Sequence, residues 1–324
     1  MLQVVYVLIC NDSNFFYEQF LISVTSLKFQ MKNVEIVVLT DEDTNEYLKN
    51  THSEIEELVS CINVYSMPEQ YAMKDRSRAL KTQMRNLIKG DFLYIDCDTL
   101  ICEPLDAISK ISFSAAVLDN HNTVSNNIWE FRNLIKMADR YGFSVGYHNC
   151  HYNTGVLWCK DNAKTRFFFE EWHHLWEAMN QKGIVIDQPS FNEINNRMNG
   201  VFQEIDGKWN CQIRCGLPFL ADAKIIHYFA SNNEKNLERK FSYYFADTRI
   251  YKNIRDSKYI SKDIQSFIAK PKNAFYKASL VEIDTPDYYI IYSNIGALFR
   301  KIYRKCPKIF WLMSNVLDVF KLSK

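Results

Sequence analysis

Alternating apolar runs and polar loops organise the first part of the chain. Residues 4–10 form a continuous apolar run rich in β-branched side chains, which stops at the polar residues 11–14. A second run, at residues 34–39, ends at the polar residues 40–43. Such runs predict strands buried on both faces, and the helical spacing of Phe20, Val24 and Leu27 predicts a helix between them. This order is typical of an α/β sheet with crossover connections.

The same alternation continues to about residue 260. Further strands are predicted at residues 92–95, 115–118, 152–158, 184–186 and 223–229. Further helices are predicted at residues 76–88, 127–141, 164–181 and 241–259. The helix at 164–181 carries an aromatic stripe that we interpret as core: Phe167, Phe168, Trp172 and Trp176. The loop histidines His148 and His151 could be metal ligands, but without a carboxylate at a fixed spacing they are expected to be ordinary surface groups.

Two acids end the apolar strand at residues 92–95. Asp96 and Asp98 are separated by one residue, so a strand-like chain presents both carboxylates on one side. Carboxylates this close suit a hard divalent cation, Mg²⁺ or Mn²⁺, that also holds the phosphates of a ligand. Two other interpretations stay open. The acids can simply end a strand at solvent, or belong to a haloacid-dehalogenase type phosphatase, whose Asp-x-Asp-x-Thr-Leu motif is one residue longer.

The positions of several other charged residues suggest possible roles for them. Arg78, Lys81 and Arg85 recur at spacings of three and four, so they share one helix face. That face is either solvated or, through Lys81, a phosphate neutraliser beside the acids. Asp187 precedes Pro189 and is either a helix cap or a site residue. His227, near the end of a late strand, is either structural or a further metal ligand.

Composition limits the class of protein. Hydrophobic residues make up 47% of the 324 residues, which predicts a packed globular core. A net charge of +1 gives no general attraction for nucleic acid, so no nucleic-acid partner is expected. Nine scattered cysteines favour reduced core thiols in the cytoplasm. No stretch reaches the roughly 18 apolar residues that a bilayer span requires.

Seven short motifs stand in order over residues 4–230. They are Leu8-Ile9-Cys10-Asn11-Asp12, Ser26-Leu27-Lys28, Leu80-Lys81-Thr82, Tyr94-Ile95-Asp96-Cys97-Asp98-Thr99-Leu100, Asn153-Thr154-Gly155-Val156, Asp187-Gln188 and Lys224-Ile225-Ile226-His227. This series resembles the glycosyltransferases of family 8, which include glycogenin and bacterial lipopolysaccharide galactosyl- and glucosyltransferases. The resemblance implies a GT-A (Rossmann-like) α/β fold, with a mixed, mainly parallel sheet flanked by helices. To this we add a helical C-terminal extension.

The resemblance also implies roles for individual residues. The metal ligands for Mn²⁺ (or Mg²⁺) would be Asp96, Asp98 and His227. The residues against the donor nucleotide, a UDP-sugar, would be Asn11, Phe16 or Tyr17, Lys81 and Cys97. Those around the transferred sugar would be Asn153, Asp187 and Gln188, the last two as the catalytic pair. Retention of anomeric configuration is implied by the family alone.

One departure from the family follows His227. The family's Lys-Pro-Trp is replaced by other residues, and we predict that Lys235 substitutes for the phosphate-binding lysine. Residues 1–235 would form the nucleotide-sugar-binding catalytic domain, and residues 236–295 a helical region that completes the acceptor side. Residues 296–324 alternate bulky apolar and basic positions, which predicts a helix on an anionic membrane surface. The alternative is an amphipathic helix packed on the parent domain.

The predicted function is therefore metal-dependent transfer of a hexose to a glycan or lipid-linked glycan in surface polysaccharide synthesis. The protein would be cytoplasmic and peripheral on the inner face of the membrane. Two alternatives remain: a non-catalytic glycan- or nucleotide-binding protein of the same fold, and a nucleotidyltransferase. The second usually carries a glycine-rich loop after its first strand, whereas residues 10–17 contain no glycine.

Overall fold

The computed structural model describes residues 1–126, 128–229, 243–275 and 293–321, and gives the backbone alone for residues 128–133 and 317–321. The chain divides into two compact units, Met1–Ser279 and Leu280–Lys324. The predicted phosphate-binding residue Lys235 lies outside the described residues.

The first unit alternates strands and helices along most of its length. Its described strands are β1 (Leu2–Val7), β2 (Val34–Asp41), β3 (Cys61–Tyr65), β4 (Phe92–Ile95), β5 (Thr99–Ile101), β6 (Ser114–Leu118), β7 (Tyr152–Cys159), β8 (Phe202–Glu204), β9 (Cys211–Gln212) and β10 (Ile225–His227). Its described α-helices are α1 (Phe16–Gln30), α2 (Glu42–Thr51), α3 (Ile55–Leu58), α4 (Met73–Leu87), α5 (Ile128–Tyr141), α6 (Ala163–Asn180), α7 (Gln188–Arg197), α8 (Leu217–Leu220), α9 (Thr248–Ser257) and α10 (Lys262–Ile268).

Seven strands form one large sheet in the order β3-β2-β1-β4-β7-β6-β8. All neighbouring pairs are parallel except those that β7 makes with β4 and β6. A small sheet of order β5-β10-β9 adjoins the end of β4. The carboxyl ends of β1 and β4 therefore lie side by side, next to the start of the small sheet.

Both faces of the large sheet are covered, as the unbroken apolar run of β1 predicts. Val4 and Tyr6 pack on the α1 side, with Phe20 and Val24. Val5 and Val7 face the opposite layer, which α4, α6 and α7 complete. A third cluster joins the small sheet to apolar residues of α1, α9 and α10, so α9 belongs to the body of the first unit.

Four expectations from the sequence are wrong. Ile184–Ile186 forms no strand but an irregular segment that leads into α7. Phe167 points outward and is 52% exposed, whereas the other three members of its stripe are buried in the core. His151 is buried rather than at the surface. Two of the nine cysteines, Cys61 and Cys306, are exposed rather than in the core.

The second unit contains two described helices, α11 (Asn294–Lys305) and α12 (Pro307–Lys321). Ser293 caps α11 by accepting a hydrogen bond from the backbone N–H of Gly296. The Tyr303 and Phe310 rings meet edge to face at 5.1 Å and tie the two helices together. Within the described parts of the chain, we find no helix with the length and apolar character needed to cross a membrane.

Candidate functional site

Three candidate metal ligands converge at the carboxyl edge of the large sheet. Asp96 directly follows β4 and Asp98 directly precedes β5, so the two acids bracket the turn between the sheets. β10 runs antiparallel to β5 with His227 opposite Thr99, which brings the imidazole to the acids. His227 Nε2 lies 3.2 Å from Asp98 Oδ1. One ligand atom from each of the three residues fits within a span of 4.8 Å.

The imidazole of His227 is oriented by a chain of amide side chains. Asn210 donates its Nδ2–H to Asn153 Oδ1 (3.0 Å), so Asn210 Oδ1 faces His227 Nδ1 at 3.2 Å. Because that oxygen only accepts, Nδ1 carries the proton and Nε2 is turned towards the acids. Asn153 in turn donates to Asp119 Oδ1 (3.0 Å). Fixing the second ring nitrogen in this way is the usual support of a metal-binding histidine.

Gly155 has no Cβ, and this leaves room for the candidate metal ligands Asp96 and His227. A Cβ at this position would lie 2.3 Å from His227 Cε1 and 2.9 Å from Asp96 Oδ2, far inside contact distance. The backbone carbonyl of Gly155 accepts a hydrogen bond from the Asp96 N–H at 2.8 Å. The chain therefore makes a close approach at this glycine, and it does so against the candidate metal ligands.

The donor set fits a divalent cation. Two carboxylates and one imidazole with its Nδ1–H satisfied supply oxygen and nitrogen ligands on one side, as Mn²⁺ accepts. The Asp96 carboxylate also accepts hydrogen bonds from the Lys81 ammonium, at 3.3 Å, and from the Tyr94 hydroxyl. Both donors contact Oδ1 of Asp96 and hold this carboxylate in place.

Asp187 lies in a second, buried ionic cluster beside the first. Its Oδ2 accepts a hydrogen bond from Thr154 Oγ1 at 3.0 Å and faces Lys81 Nζ at 3.4 Å. Arg78 Nε stands 3.6 Å from Oδ1. Asp187 is the N-cap residue of α7, yet its side chain makes no cap hydrogen bond. The carboxylate therefore belongs to the ionic cluster, and Lys81 joins this cluster to Asp96.

The ionic cluster keeps Asp187 charged. Burial by itself would raise the pKa of this carboxyl, but the nearby Lys81 and Arg78 cations and the Thr154 hydroxyl lower it below its ordinary value. Gln188, the next residue, accepts a hydrogen bond from the Thr154 backbone N–H through Oε1 at 3.4 Å. Both members of the predicted catalytic pair are thus connected to Thr154 on β7.

The predicted basic face of α4 divides into two parts. Arg78 and Lys81 face Asp187, whereas the Arg85 side chain is fully buried. Arg85 donates to the carbonyls of Gly90 (2.7 Å) and Ile88, and its guanidinium lies over the Phe92 ring. A solvated face is therefore wrong for Lys81 and Arg85, which are buried, whereas the Arg78 side chain is 34% exposed. Arg85 instead holds the turn that leads into β4.

The residues predicted to contact the nucleotide lie around the loop that follows β1. Asn11 is at the start of this loop, and Phe16 is partly buried against the core behind it. The Tyr17 side chain is buried, stacks on His52 at 3.7 Å and donates to Glu54. The Cys97 thiol points back to β1 and donates to the Val7 carbonyl. Contact of these side chains with a nucleotide stays a prediction.

Asn210 is the residue that sequence reasoning missed. It ends a short 3-10 helix, Gly207–Asn210, and is completely buried between His227 and Asn153. An isolated asparagine beside Trp209 has no pattern of its own that could have indicated the role. Phe229 is also unexpected: it adopts a left-handed φ of 53°, rare for an aromatic residue, and its ring stacks on His227 at 4.1 Å.

The sequence and the fold are similar to those of known proteins. The family described as glycosyl transferase family 8 matches residues 6–235. The galactosyltransferase LgtC, solved with donor and acceptor sugar analogues, has 12% identity and a TM-score of 0.50, covering 82% of this chain and 99% of LgtC. Mouse xyloside xylosyltransferase 1 has 14% identity and a TM-score of 0.46, covering 71% and 98%. GlyE of Streptococcus pneumoniae TIGR4 has 14% identity and a TM-score of 0.49, covering 86% and 67%.

None of the curated proteins matches the sequence. The likeness to LgtC concerns the fold, and it agrees with the mainly parallel sheet flanked by helices described above. The predicted GT-A fold is therefore confirmed.

Proposed function

We propose that this chain, which belongs to glycosyl transferase family 8 and is a glycosyltransferase, transfers a hexose from a UDP-sugar with the help of Mn²⁺. The acceptor would be a glycan or lipid-linked glycan, as in the synthesis of surface polysaccharides. The observation that carries the proposal is the cluster of Asp96, Asp98 and His227 at the carboxyl edge of the sheet. Ligands bind at this edge in open α/β sheets.

The metal and the donor would meet at this cluster. Asp96, Asp98 and His227 would hold the ion, which when bound offsets the negative charge that grows on the departing diphosphate. An imidazole among the ligands favours Mn²⁺ over Mg²⁺, which prefers oxygen ligands alone. Lys81 adds a fixed positive charge 3.3 Å from Asp96, where it also attracts a phosphate.

The neighbouring ionic cluster would handle the transferred sugar. Asp187 stays ionised because Lys81 and Arg78 lower its pKa, so it is an acceptor for sugar hydroxyl groups. Gln188 carries both amide donors and an acceptor, and would orient the sugar beside Asp187. Asn153 would act differently from the prediction made for it, because its amide bonds to Asp119 and Asn210 support His227 rather than face a sugar. Retention of configuration is part of the proposal on the ground of family membership.

The second unit would bring the enzyme to its acceptor. The side chains of Ile309, Trp311, Leu312 and Val316 on α12 are each more than half exposed. Basic residues cluster on the preceding helix, at Arg300, Lys301, Arg304 and Lys305. Exposed apolar and basic groups together favour the anionic surface of a membrane. A peripheral position on the inner face of the membrane would place the active site near lipid-linked glycans.

The donor site is tested by a thermal-shift screen of nucleotide sugars with and without Mn²⁺. A ligand that binds the native state alone raises Tm by mass action, about 2.7 kcal/mol of stabilisation at a hundredfold excess over Kd. We expect one nucleotide sugar to raise Tm only when Mn²⁺ is present. The double variant Asp96→Asn, Asp98→Asn should fold normally and lose both this shift and donor hydrolysis.

Asp222→Asn serves as the matched control, because Asp222 is an exposed aspartate in the turn before β10. It should behave as wild type. A double variant that keeps the metal-dependent shift would exclude the metal assignment, and a well-folded wild type that responds to no donor would exclude the UDP-sugar proposal.

A further inference from the structure

The loop between β1 and α1 is fixed by side chains rather than by glycines. Asn11 Oδ1 accepts hydrogen bonds from the Ser13 N–H (2.8 Å), the Ser13 hydroxyl (2.6 Å) and Asn14 Nδ2 (3.2 Å). Asn11 Nδ2 donates to the Met73 sulfur at 3.1 Å, which docks the loop on the start of α4. Both polar atoms of Asn11 are therefore used inside the protein.

The guanidinium of Arg255, a residue near the C-terminal end of the first unit, contacts the other side of this loop. Arg255 of α9 donates from Nε and Nη2 to the two carboxylate oxygens of Glu18, at 2.6 and 2.9 Å. It also donates to the backbone carbonyls of Asp12 (2.8 Å) and Asn14. The guanidinium lies 4.4 Å above the Phe15 ring centre. One side chain thus binds the loop backbone and the first turn of α1 at the same time.

The character of these contacts makes Arg255 hard to replace. Glu18 is only 1% exposed, so its charge needs a close partner. A planar guanidinium offers five N–H donors in a fixed fork, enough for one carboxylate and two carbonyls. An ammonium group has neither the reach nor the geometry to make all four contacts.

The loop adjoins the acidic turn of the candidate site, on the side where the nucleotide is proposed to bind. It follows β1, which pairs with β4, and Asp96 comes directly after β4. The Cys97 thiol reaches the Val7 carbonyl at 3.5 Å, so the acidic turn and the end of β1 are in contact. Arg255 itself comes after residue 235, where the match to the family ends.

We propose that Arg255 is a positioning residue of the donor site, which holds residues 11–15 in the conformation that receives a nucleoside diphosphate. The inference rests on the proposed function, because the ligand is the nucleotide part of the donor. It also gives the region after residue 235 a task on the donor side, beyond the acceptor role predicted for residues 236–295. A loop held in its binding conformation avoids the ordering cost at each binding event.

The test is UDP affinity in the presence of Mn²⁺, measured by isothermal titration calorimetry on the full chain. Arg255→Ala should raise Kd about tenfold, equivalent to about 1.4 kcal/mol. In turnover, it should raise the KM for the donor and leave kcat within about twofold, since the loop binds the nucleotide and not the reacting bond. Arg249→Ala is the matched control: Arg249 lies on the same helix but pairs with Asp247 at the surface, so its Kd should match wild type.

Arg255→Lys covers the case in which the alanine variant does not fold. The ammonium keeps the charge opposite Glu18 but loses carbonyl contacts, so Kd should still rise about threefold or more. Wild-type Kd in a folded Arg255→Ala protein, or in Arg255→Lys where the alanine variant fails to fold, would overturn the inference alone. A folded wild type that binds no UDP would instead overturn the proposed function and this inference with it.

Discussion

His227 shows how much of the candidate site depends on single side chains. Its ring is contacted by Asn210 at Nδ1, by Asp98 at Nε2 and by Phe229 on one face. Gly155 provides the space beside Cε1. A metal-binding histidine works only if its ring orientation is fixed, and here a missing Cβ is part of what allows that orientation.

Replacement of Gly155 by alanine is therefore expected to weaken metal binding. The φ of Gly155 is not positive, so the effect comes from the added methyl group and not from backbone strain. His227 or Asp96 must move, and Mn²⁺ affinity should fall about ten- to hundredfold. Stability should fall by about 1–3 kcal/mol. Mn²⁺ titration followed by calorimetry, together with urea unfolding, measures both effects.

A double-mutant cycle with His227→Ala provides the control. With the ring removed, the two closest contacts of the added methyl group are gone and the contact with Asp96 Oδ2 remains, so Gly155→Ala should cost less stability than it does in wild type. An equal cost in both backgrounds would mean that the clash with His227 is not the cause.

At the scale of elements, α4 links the core to the site. Its buried Arg85 fixes the turn into β4, while Lys81, one helical turn earlier, joins the end of β4 to the start of α7. The sequence spacing places these residues on one face, yet the two have different tasks. The reason is their position along β4: Arg85 lies over Phe92 at the start of the strand, whereas Lys81 lies beside Asp96 just after its end, at the carboxyl edge of the sheet.

The pairing of α4 with α7 predicts a pH-dependent stability. The pKa of Asp187 is lowered in the folded state, so its ionic contacts stabilise the protein above the ordinary aspartate pKa and are lost as pH falls through the lowered value. Lys81→Met should cost roughly 3 kcal/mol near pH 7, because it breaks a buried ion pair. The difference from wild type should shrink at acid pH.

Urea unfolding of both proteins at neutral pH and near pH 3 checks this. Lys74→Met is the control, since Lys74 is an exposed lysine on the same helix, and it should have little effect at either pH. A stability difference that does not change with pH would contradict the assigned role of the Asp187 charge.

At the scale of the whole molecule, the chain combines a large α/β unit with a small helical unit of different surface character. Among the described residues, the first unit buries most of its large apolar side chains, whereas the much smaller pair α11 and α12 exposes seven of theirs. Exposed apolar residues beside a basic cluster are the observation on which the membrane proposal rests.

The membrane proposal belongs to this scale. We expect the full-length protein to sediment with vesicles that contain phosphatidylglycerol, and to do so less as salt rises, since part of the attraction is electrostatic. Deletion of residues 298–324 should abolish sedimentation while the Mn²⁺-dependent thermal shift remains.

Vesicles of phosphatidylcholine alone are the matched control and should bind weakly. The full-length variant Leu312→Ser, Val316→Ser keeps every charge and should bind anionic vesicles several-fold less tightly than wild type. A truncated protein that still sediments would refute the membrane role of the tail.

The sequence by itself determined the features that repeat along the chain. Apolar runs identified β1, β2 and β4, because a strand buried on both faces requires a continuous run of apolar residues. The order of short motifs led to family 8, and that resemblance named Asp96, Asp98 and His227 as one set of metal ligands. These conclusions need only local patterns, and local patterns are what a sequence displays directly.

Only the tertiary structure decided which polar groups meet. Arg255 and Glu18 are 237 positions apart, and Asn210 lies 17 positions before His227, so no periodicity connects either pair. The Ile184–Ile186 segment looks like a strand, but no neighbouring strand pairs with it among the described residues. Hydrophobic patterns specify which face of an element is buried. Hydrogen bonds and ion pairs depend on the distances between atoms, which the packing of distant elements alone establishes.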